Sequence, residues 1–217
     1  MIPRLQDFKT VILADGGFPE HEIPLSFLKN AHRIICCDGA TEKLLSFGLE
    51  PDYIVGDLDG ISDELKQRFA SILFHNPEQE TNDLTKSVQF CIEHGWDEIT
   101  ILGATGKRED HTIGNLSLLA DYGKFAQVQM LTDYGIFVPQ FQSAVYESYR
   151  GQQISIFSLN PTTLLSTQNL VYPLQKRTLT SWWQGTLNEA AAESFSIEIE
   201  EGEILVFREY NYPKEQI

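Results

Sequence analysis

Arg33 to Gly60 read RIICC DGA TEKLLSF GLEPD YIV GDLDG, two sheet-forming runs with a helical stretch between them. Arg33–Cys37 and Tyr53–Val55 are apolar or β-branched runs of strand length, and Thr41–Phe47 carries a helical pattern. The same alternation continues outward in both directions. Upstream lie the run Thr10–Ala14 and the helical stretch Pro24–Asn30. Downstream come helical Ser62–Phe69, the run Ser71–Phe74, helical Asp83–His94, the run Glu98–Leu102, helical Thr112–Tyr122 and the run Gln127–Leu131. Strands that alternate with helices in this way imply an α/β domain with a largely parallel sheet. In the fourth helical stretch Leu84, Val88, Cys91 and Ile92 follow helical spacing, with Asn82 or Asp83 as the cap and Gly95 as the stop.

Beyond Gly135 the texture changes. Ile136–Val138, Ala144–Tyr149, Gln153–Ser158, Leu170–Tyr172, Phe195–Glu200 and Glu203–Phe207 read as strands with no helix between them, which implies a second, all-β domain. It begins between Asp133 and Ser143, with Pro139 and the Gln-rich Gln140–Gln142 as the expected joint, so the expected domains are 1–138 and 139–217. Phe195, Ile197 and Ile199 alternate with Ser196, Glu198 and Glu200, the pattern of a sheet with one wet face. The polar tail Asn211–Ile217 is expected to fray.

The chain has 217 residues and a net charge of -15, with no basic stripe, so nucleic acid is not expected as a partner. A nucleotide substrate is still compatible with that charge, because one divalent cation and a few local basic groups reverse the sign of a pocket. No apolar run approaches the ~20 residues that span a bilayer, and the start of the chain lacks a signal-type apolar core, so no membrane partner is expected. Cys36 and Cys37 are strand neighbours that point to opposite faces and do not share one metal. With Cys91 they make an odd set, read as reduced, buried thiols of a cytoplasmic protein.

Acidic and Gly-rich segments end the sheet-forming runs one after another. They are Asp15-Gly16-Gly17, Asp38-Gly39-Ala40, Gly56-Asp57-Leu58-Asp59-Gly60 and Gly103-Ala104-Thr105-Gly106-Lys107-Arg108-Glu109-Asp110-His111. In open α/β sheets that edge is where ligands bind. Asp57 and Asp59, at i and i+2 of an extended segment, point to one side. Two carboxylates about 4 Å apart repel by roughly 4 kcal/mol at an effective dielectric near 20, so a cation between them is expected, and hard oxygen ligands suit magnesium. The competing reading is a solvated Asp/Gly turn. Asp83 and Lys86 share one face at a helix N-terminus, where a third carboxylate completes a magnesium site and a lysine meets phosphate; a capping Asp with a solvated Lys is the alternative. Gly103 and Gly106 let backbone N–H groups approach phosphate, and Arg108 neutralises it. Asp110 orients an attacking hydroxyl or binds metal, His111 bonds phosphate or steadies the loop, and Asn115 lines the same pocket or packs there.

An Asp-Leu-Asp-Gly run also resembles the nucleophile loop of haloacid-dehalogenase-type phosphatases. That loop follows a first strand and continues with Thr or Val, whereas this one follows the third run and continues with Ile61-Ser62. Taken in order, the segments resemble the thiamine pyrophosphokinase family instead: the Asp-Gly pair at Asp38, the Gly-Asp-Leu-Asp loop, Asn82-Asp83-x-x-Lys86, and Gly103-x-x-Gly106-x-Arg108-x-Asp110-His111. The resemblance extends into the tail through Leu170–Leu174 and Gly185–Glu189. It implies a Rossmann-like α/β domain followed by a β-sandwich domain, a homodimer, and transfer of diphosphate from ATP to thiamine with Mg2+. It further implies thiamine bound between the α/β domain of one subunit and the β domain of the other. By the same resemblance Asp57, Asp59 and Asp83 hold the metal, Lys86 and Arg108 meet the ATP phosphates, and Asp110 lies near the thiamine hydroxyl. Gly16, Asp38, Gly39, Gly103, His111, Asn115, Tyr172 and Asn188 are the further binding residues it implies. Aromatic Tyr172, Trp182 or Trp183 stack on the thiazolium or pack in the β domain. The chain departs from the family pattern at Gly60, Asn82 and Leu187, and at Gly39-Ala40-Thr41-Glu42. A nucleotide-binding regulator that kept the fold without the chemistry is the alternative of a different class.

Overall fold

The computed structural model describes residues 6–210, and the tail Asn211–Ile217 lies outside the described residues. Residues 7–133 form one compact unit and residues 134–210 the body of another. The division falls between Asp133 and Tyr134, inside the window expected from the change of texture and upstream of the joint expected after residue 138.

The first unit alternates strand and helix throughout: β1 (Thr10–Leu13), α1 (Glu22–Lys29), β2 (Arg33–Cys37), α2 (Thr41–Phe47), β3 (Tyr53–Gly56), α3 (Asp63–Arg68), β4 (Leu73–His75), α4 (Asp83–Glu93), β5 (Glu98–Leu102), α5 (Glu109–Gly123) and β6 (Gln127–Leu131). Its strands are all parallel, in the order β6-β5-β1-β2-β3-β4. Parallel strands covered on both faces read as unbroken apolar runs, and Ile12, Ile35, Ile54, Ile99 and Ile101 are all fully buried. Because β1 stands between β2 and β5, chain order runs outward from it in both directions. The loops after β1 and β5 therefore emerge side by side at the switch point of the sheet, the place where such folds form a ligand crevice.

Helix α4 starts as expected. Asn82 is its cap and accepts a hydrogen bond from the Thr85 N–H at 2.9 Å. Helix α5 begins at Glu109, three residues before the expected Thr112. Glu109 and Asp110 occupy its first turn, where the helix N-terminus favours negative charge. What reads as a loop from Gly103 to His111 is thus loop only as far as Arg108.

The second unit is built of β7 (Gly135–Gln140), β8 (Ala144–Glu147), β9 (Gln153–Ser158), β10 (Leu164–Gln168), β11 (Arg177–Thr178), β12 (Asn188–Glu189), β13 (Ser194–Ile199) and β14 (Ile204–Glu209), with one 3₁₀ turn at Trp182–Gly185. Two antiparallel arrays, β12-β9-β14-β7 and β11-β10-β13-β8, face one another across a shared core. Ile154, Ile156, Ile204 and Val206 of the first array pack with Leu165, Phe195 and Ile197 of the second. Pro139 and Gln140, expected in a linker, are the end of β7 and pair with Leu205 and Ile204 of β14. The strand expected at Leu170–Tyr172 is a single bridge from Leu170 to Ala190, and β10 supplies the strand a few residues earlier. Cys36, Cys37 and Cys91 are free and buried. Among the described residues no helix is long and apolar enough to cross a membrane.

Candidate active site

The carboxyl ends of β1, β2, β3 and β5 and the starts of α2, α4 and α5 surround one cleft of about 620 Å³. It lies wholly within the 7–133 unit. Of the residues singled out in the sequence, Gly16, Asp38, Gly39, Asp59, Asp83, Arg108, His111 and Asn115 line it.

Asp38, Asp57 and Asp59 form one group, each offering a carboxylate oxygen within 4.8 Å of the others. The segment from Asp57 to Asp59 is a turn, not the extended stretch expected: Leu58 adopts φ 66°, and the Asp59 N–H donates to Asp57 Oδ1 at 3.2 Å. A left-handed leucine is strained, so the turn holds both carboxylates together at some conformational cost. Gln79 Nε2 donates to the other Asp57 oxygen at 3.1 Å, and this bond, then that from the Asp59 N–H, holds the Asp57 carboxyl below its ordinary value. Asp57 beside it pushes the Asp59 carboxyl up.

Asp38 is buried and clamps two backbone N–H groups, Gly39 at 2.5 Å and Gly60 at 3.2 Å. Burial nevertheless keeps its carboxyl above the ordinary value, with Asp83 and Asp57 adding to the rise. The Asp83 carboxylate flanks this group. Its carboxyl carbon and that of Asp38 each lie 3.2 Å from where a β-carbon on Gly56 would sit, so a side chain there would displace them. Three mutually repelling carboxylates, two of them with raised pKa, fit a hard divalent cation, and Asp83 stands ready beside them. Of the three carboxylates expected to act together, Asp57 and Asp59 fall in this group, Asp38 is its third member, and Asp83 lies beside it and outside it. Lys86 does not reach into the cleft as an open phosphate ligand would. Its side chain is 2 % exposed and donates to Asp83 Oδ1 at 3.2 Å.

The opposite side of the cleft is made by two loops zipped together. The Gly16 N–H donates to Gly103 O and the Gly17 N–H to Thr105 O, both at 2.6 Å. A β-carbon on Gly16 would lie 2.3 Å from Gly103 O, so glycine is required for this close approach. The Gly16 N–H is consequently spent on the protein and not offered to phosphate. Arg108 Nε donates to Asp110 Oδ1 at 3.0 Å, and the guanidinium makes a second bond to Oδ2. That pairing holds the Asp110 carboxyl down at about 2. Both amide ends of Asn115 are engaged: Nδ2 donates to Ala104 O at 2.8 Å, and Oδ1 accepts from Asn82 Nδ2 at 3.2 Å. Asn115 therefore ties the β5 loop to the start of α4.

Three residues of this wall, Asp15, Lys43 and Lys107, carry no assigned role in the sequence reading, although Asp15 and Lys107 lie in its strand-end segments. Asp15 Oδ1 accepts from Lys43 Nζ at 2.5 Å and from Lys107 Nζ at 3.1 Å. Burial pushes the Asp15 carboxyl up, and the bonds from Lys43 and Lys107 together outweigh it, leaving the group below its ordinary value. The available signal was positional: each lysine lies within a few residues of a Gly-containing strand end, Lys43 three residues after Asp38-Gly39-Ala40 and Lys107 immediately after Gly106.

Tyr172 and Asn188 belong to the other unit. Asn188 is buried and bonded to backbone on both sides of its amide: Oδ1 accepts from the Tyr172 and Glu189 N–H groups, and Nδ2 donates to Tyr172 O at 2.8 Å. The Tyr172 ring is exposed, as is Trp183, whereas Trp182 packs edge-on against Phe157.

A family model described as the catalytic domain of thiamin pyrophosphokinase matches residues 25–131, and one described as its substrate-binding domain matches residues 135–207. Thiamin pyrophosphokinase 1 of Caenorhabditis elegans is 37% identical over 94 residues, 39% of this chain and 38% of that protein. Thiamine pyrophosphokinase of Bacillus subtilis is 32% identical over 117 residues, 51% of this chain and 54% of that protein. These matched stretches span about half or less of the curated relatives. Among solved structures, thiamin pyrophosphokinase from Candida albicans superposes with a TM-score of 0.79 at 20% identity, covering 95% of this chain and 91% of that one. A thiamin pyrophosphokinase family protein from Enterococcus faecalis gives 0.76 at 21% identity, covering 94% and 100%. At these identities the superpositions show the shared fold.

Proposed function

The chain belongs to the thiamin pyrophosphokinase family, and we propose from that membership that it transfers diphosphate from ATP to the primary hydroxyl of thiamine, releasing AMP. The observation that carries this reading is the polarity of the cleft at the carboxyl ends of the strands, with a group of carboxylates at one end and Lys43, Lys107 and Arg108 on the facing wall. Transfer of phosphate groups asks a protein for alignment and charge neutralisation more than for covalent help.

In this reading Asp38, Asp57 and Asp59, with Asp83 beside them, hold Mg2+, which when bound neutralises phosphate oxygens. Lys86, buried under Asp83, fixes that carboxylate's position and supports the site from below. Arg108 faces the phosphates while keeping Asp110 in place. With its carboxyl held down at about 2 by Arg108, Asp110 is ionised at neutral pH and a weak base. It therefore accepts the hydrogen bond of the thiamine hydroxyl and aims its oxygen, and the proton is lost late. The 134–210 unit supplies the thiamine side through the exposed Tyr172. The enzyme works as a cytoplasmic homodimer, with each site shared between the 7–133 unit of one subunit and the 134–210 unit of the other.

The test is to incubate the protein with ATP, Mg2+ and thiamine and to follow AMP and thiamine diphosphate together. Asp57→Asn and Asp59→Asn are each expected to lower turnover about a hundred-fold or more, with the melting temperature held or slightly raised. AMP release that ignores thiamine, or variants within a few-fold of wild type, would remove the reading.

A further inference from the structure

Five carboxylates line the cleft (Asp15, Asp38, Glu42, Asp59 and Asp83) against three cations, Lys43, Lys107 and Arg108. A polyphosphate entering it meets net repulsion everywhere except where positive charge is left over. Arg108 is already matched by Asp110. Lys43 and Lys107 share a single carboxylate oxygen, so two ammoniums against Asp15 leave one net positive charge. Among the described residues lining the cleft, this is the one local surplus of positive charge.

The pair is also built in place. Lys43 comes from the first turn of α2 and donates to Gly16 O at 2.8 Å as well as to Asp15. Lys107 comes from the loop after β5 and spends one of its three N–H donors on Asp15, with its side chain half exposed to the cleft. Two cations fixed on one oxygen from two different elements make a preformed seat for an anion.

We propose that Lys43 and Lys107 seat the phosphate group that stays with the nucleoside, so that they take up the charge released on AMP. This rests on the diphosphate transfer proposed above. In that step the thiamine hydroxyl oxygen forms a bond to the β-phosphorus. The bond from the β-phosphorus to the oxygen bridging it to the α-phosphorus breaks, that oxygen keeps the electron pair, and the hydroxyl proton passes to water or a carboxylate. The negative charge on the leaving side grows as the bond lengthens. Ammoniums fixed there lower the barrier, whereas the carboxylate end of the cleft can only serve the transferred group through a metal.

The experiment titrates AMP into the full chain by calorimetry for wild type, Lys43→Met, Lys107→Met and Lys43→Arg, with steady-state kinetics and melting temperatures alongside. Each Met variant is expected to weaken AMP binding about ten-fold or more, the size of one lost charge-assisted hydrogen bond. The same variants should lower kcat/KM for ATP while KM for thiamine stays within about two-fold, and Lys43→Arg should keep most of the AMP affinity. Met variants that bind AMP as wild type does, whatever their melting temperature, overturn the proposal, as does a wild type that binds no AMP. A wild type that binds AMP through these lysines yet makes no thiamine diphosphate removes the proposed reaction and leaves the phosphate seat standing.

Discussion

Asp38 shows how a single residue links the fold to the proposed metal site. Burial holds its carboxyl above the ordinary 3.8, against the pull of the Gly60 and Gly39 N–H groups. A carboxyl raised in the folded state binds its proton more tightly there than in the unfolded chain. Its contribution to stability is therefore full below 3.8 and is lost as pH rises through the raised value. At neutral pH the ionised side chain, pressed by Asp83 and Asp57, is a cost that a divalent cation offsets. Mg2+ at ten times its Kd should then add about 1.4 kcal/mol, or about 3–6 °C in Tm, at neutral pH. The rise should shrink toward about pH 4, where the carboxyls take up protons. Scanning fluorimetry with and without Mg2+ measures this directly and needs no substrate. A Mg2+ response of equal size in the Asp57→Asn/Asp59→Asn double variant would show that the ion acts elsewhere.

At the scale of elements, the runs with one dominant signal were legible. Arg33–Cys37, Glu98–Leu102, Gln127–Leu131 and Gln153–Ser158 are strands with the bounds read from their apolar or alternating residues, and Thr41–Phe47 is the expected helix. The first turn of α5 was not legible, because Arg108-Glu109-Asp110 follows two glycines and looks like more of the same loop. Nor was β10: its Ser166, Thr167 and Gln168 look like turn residues, yet they pair with β13. The apolar Leu170–Tyr172 reads as strand but pairs only at Leu170, with the Val171 N–H donating to Glu189 O, and at Tyr172 a side chain takes over the backbone bonds. Asn188 supplies that side chain. Oδ1 accepts the Tyr172 N–H at 3.1 Å and the Glu189 N–H at 2.9 Å, while Nδ2 donates to Tyr172 O, all from a buried position. Asn188→Ala is accordingly expected to cost about 1–2 kcal/mol in urea unfolding, because it removes three hydrogen bonds and strands partly buried backbone groups. At low temperature its AMP affinity should remain that of wild type. A stable Asn188→Ala protein with a selectively raised KM for thiamine would instead make this residue a ligand.

For the whole molecule, the sequence made the order of the two architectures plain, because periodicity changes character after Gly135. Which loops become neighbours was hidden. The pairing of Gly16 with Gly103 and the meeting of Lys43, Asp15 and Lys107 depend on β1 standing between β5 and β2, and strand order is not written in local pattern. If each active site takes its 7–133 unit from one subunit and its 134–210 unit from the other, defects in different units complement. Asp59→Asn chains and Tyr172→Ala chains, assayed singly at low thiamine, should both be poor enzymes. Refolded together in equal amounts, half of the dimers are mixed, and each mixed dimer carries one site with both defects and one with neither. About a quarter of wild-type sites should therefore reappear, as two-fold symmetry requires. Two tags on the two chains allow the mixed dimer to be isolated and its share measured. If that isolated species shows no more activity than the mean of its parents, each subunit completes its own site and the shared arrangement is wrong.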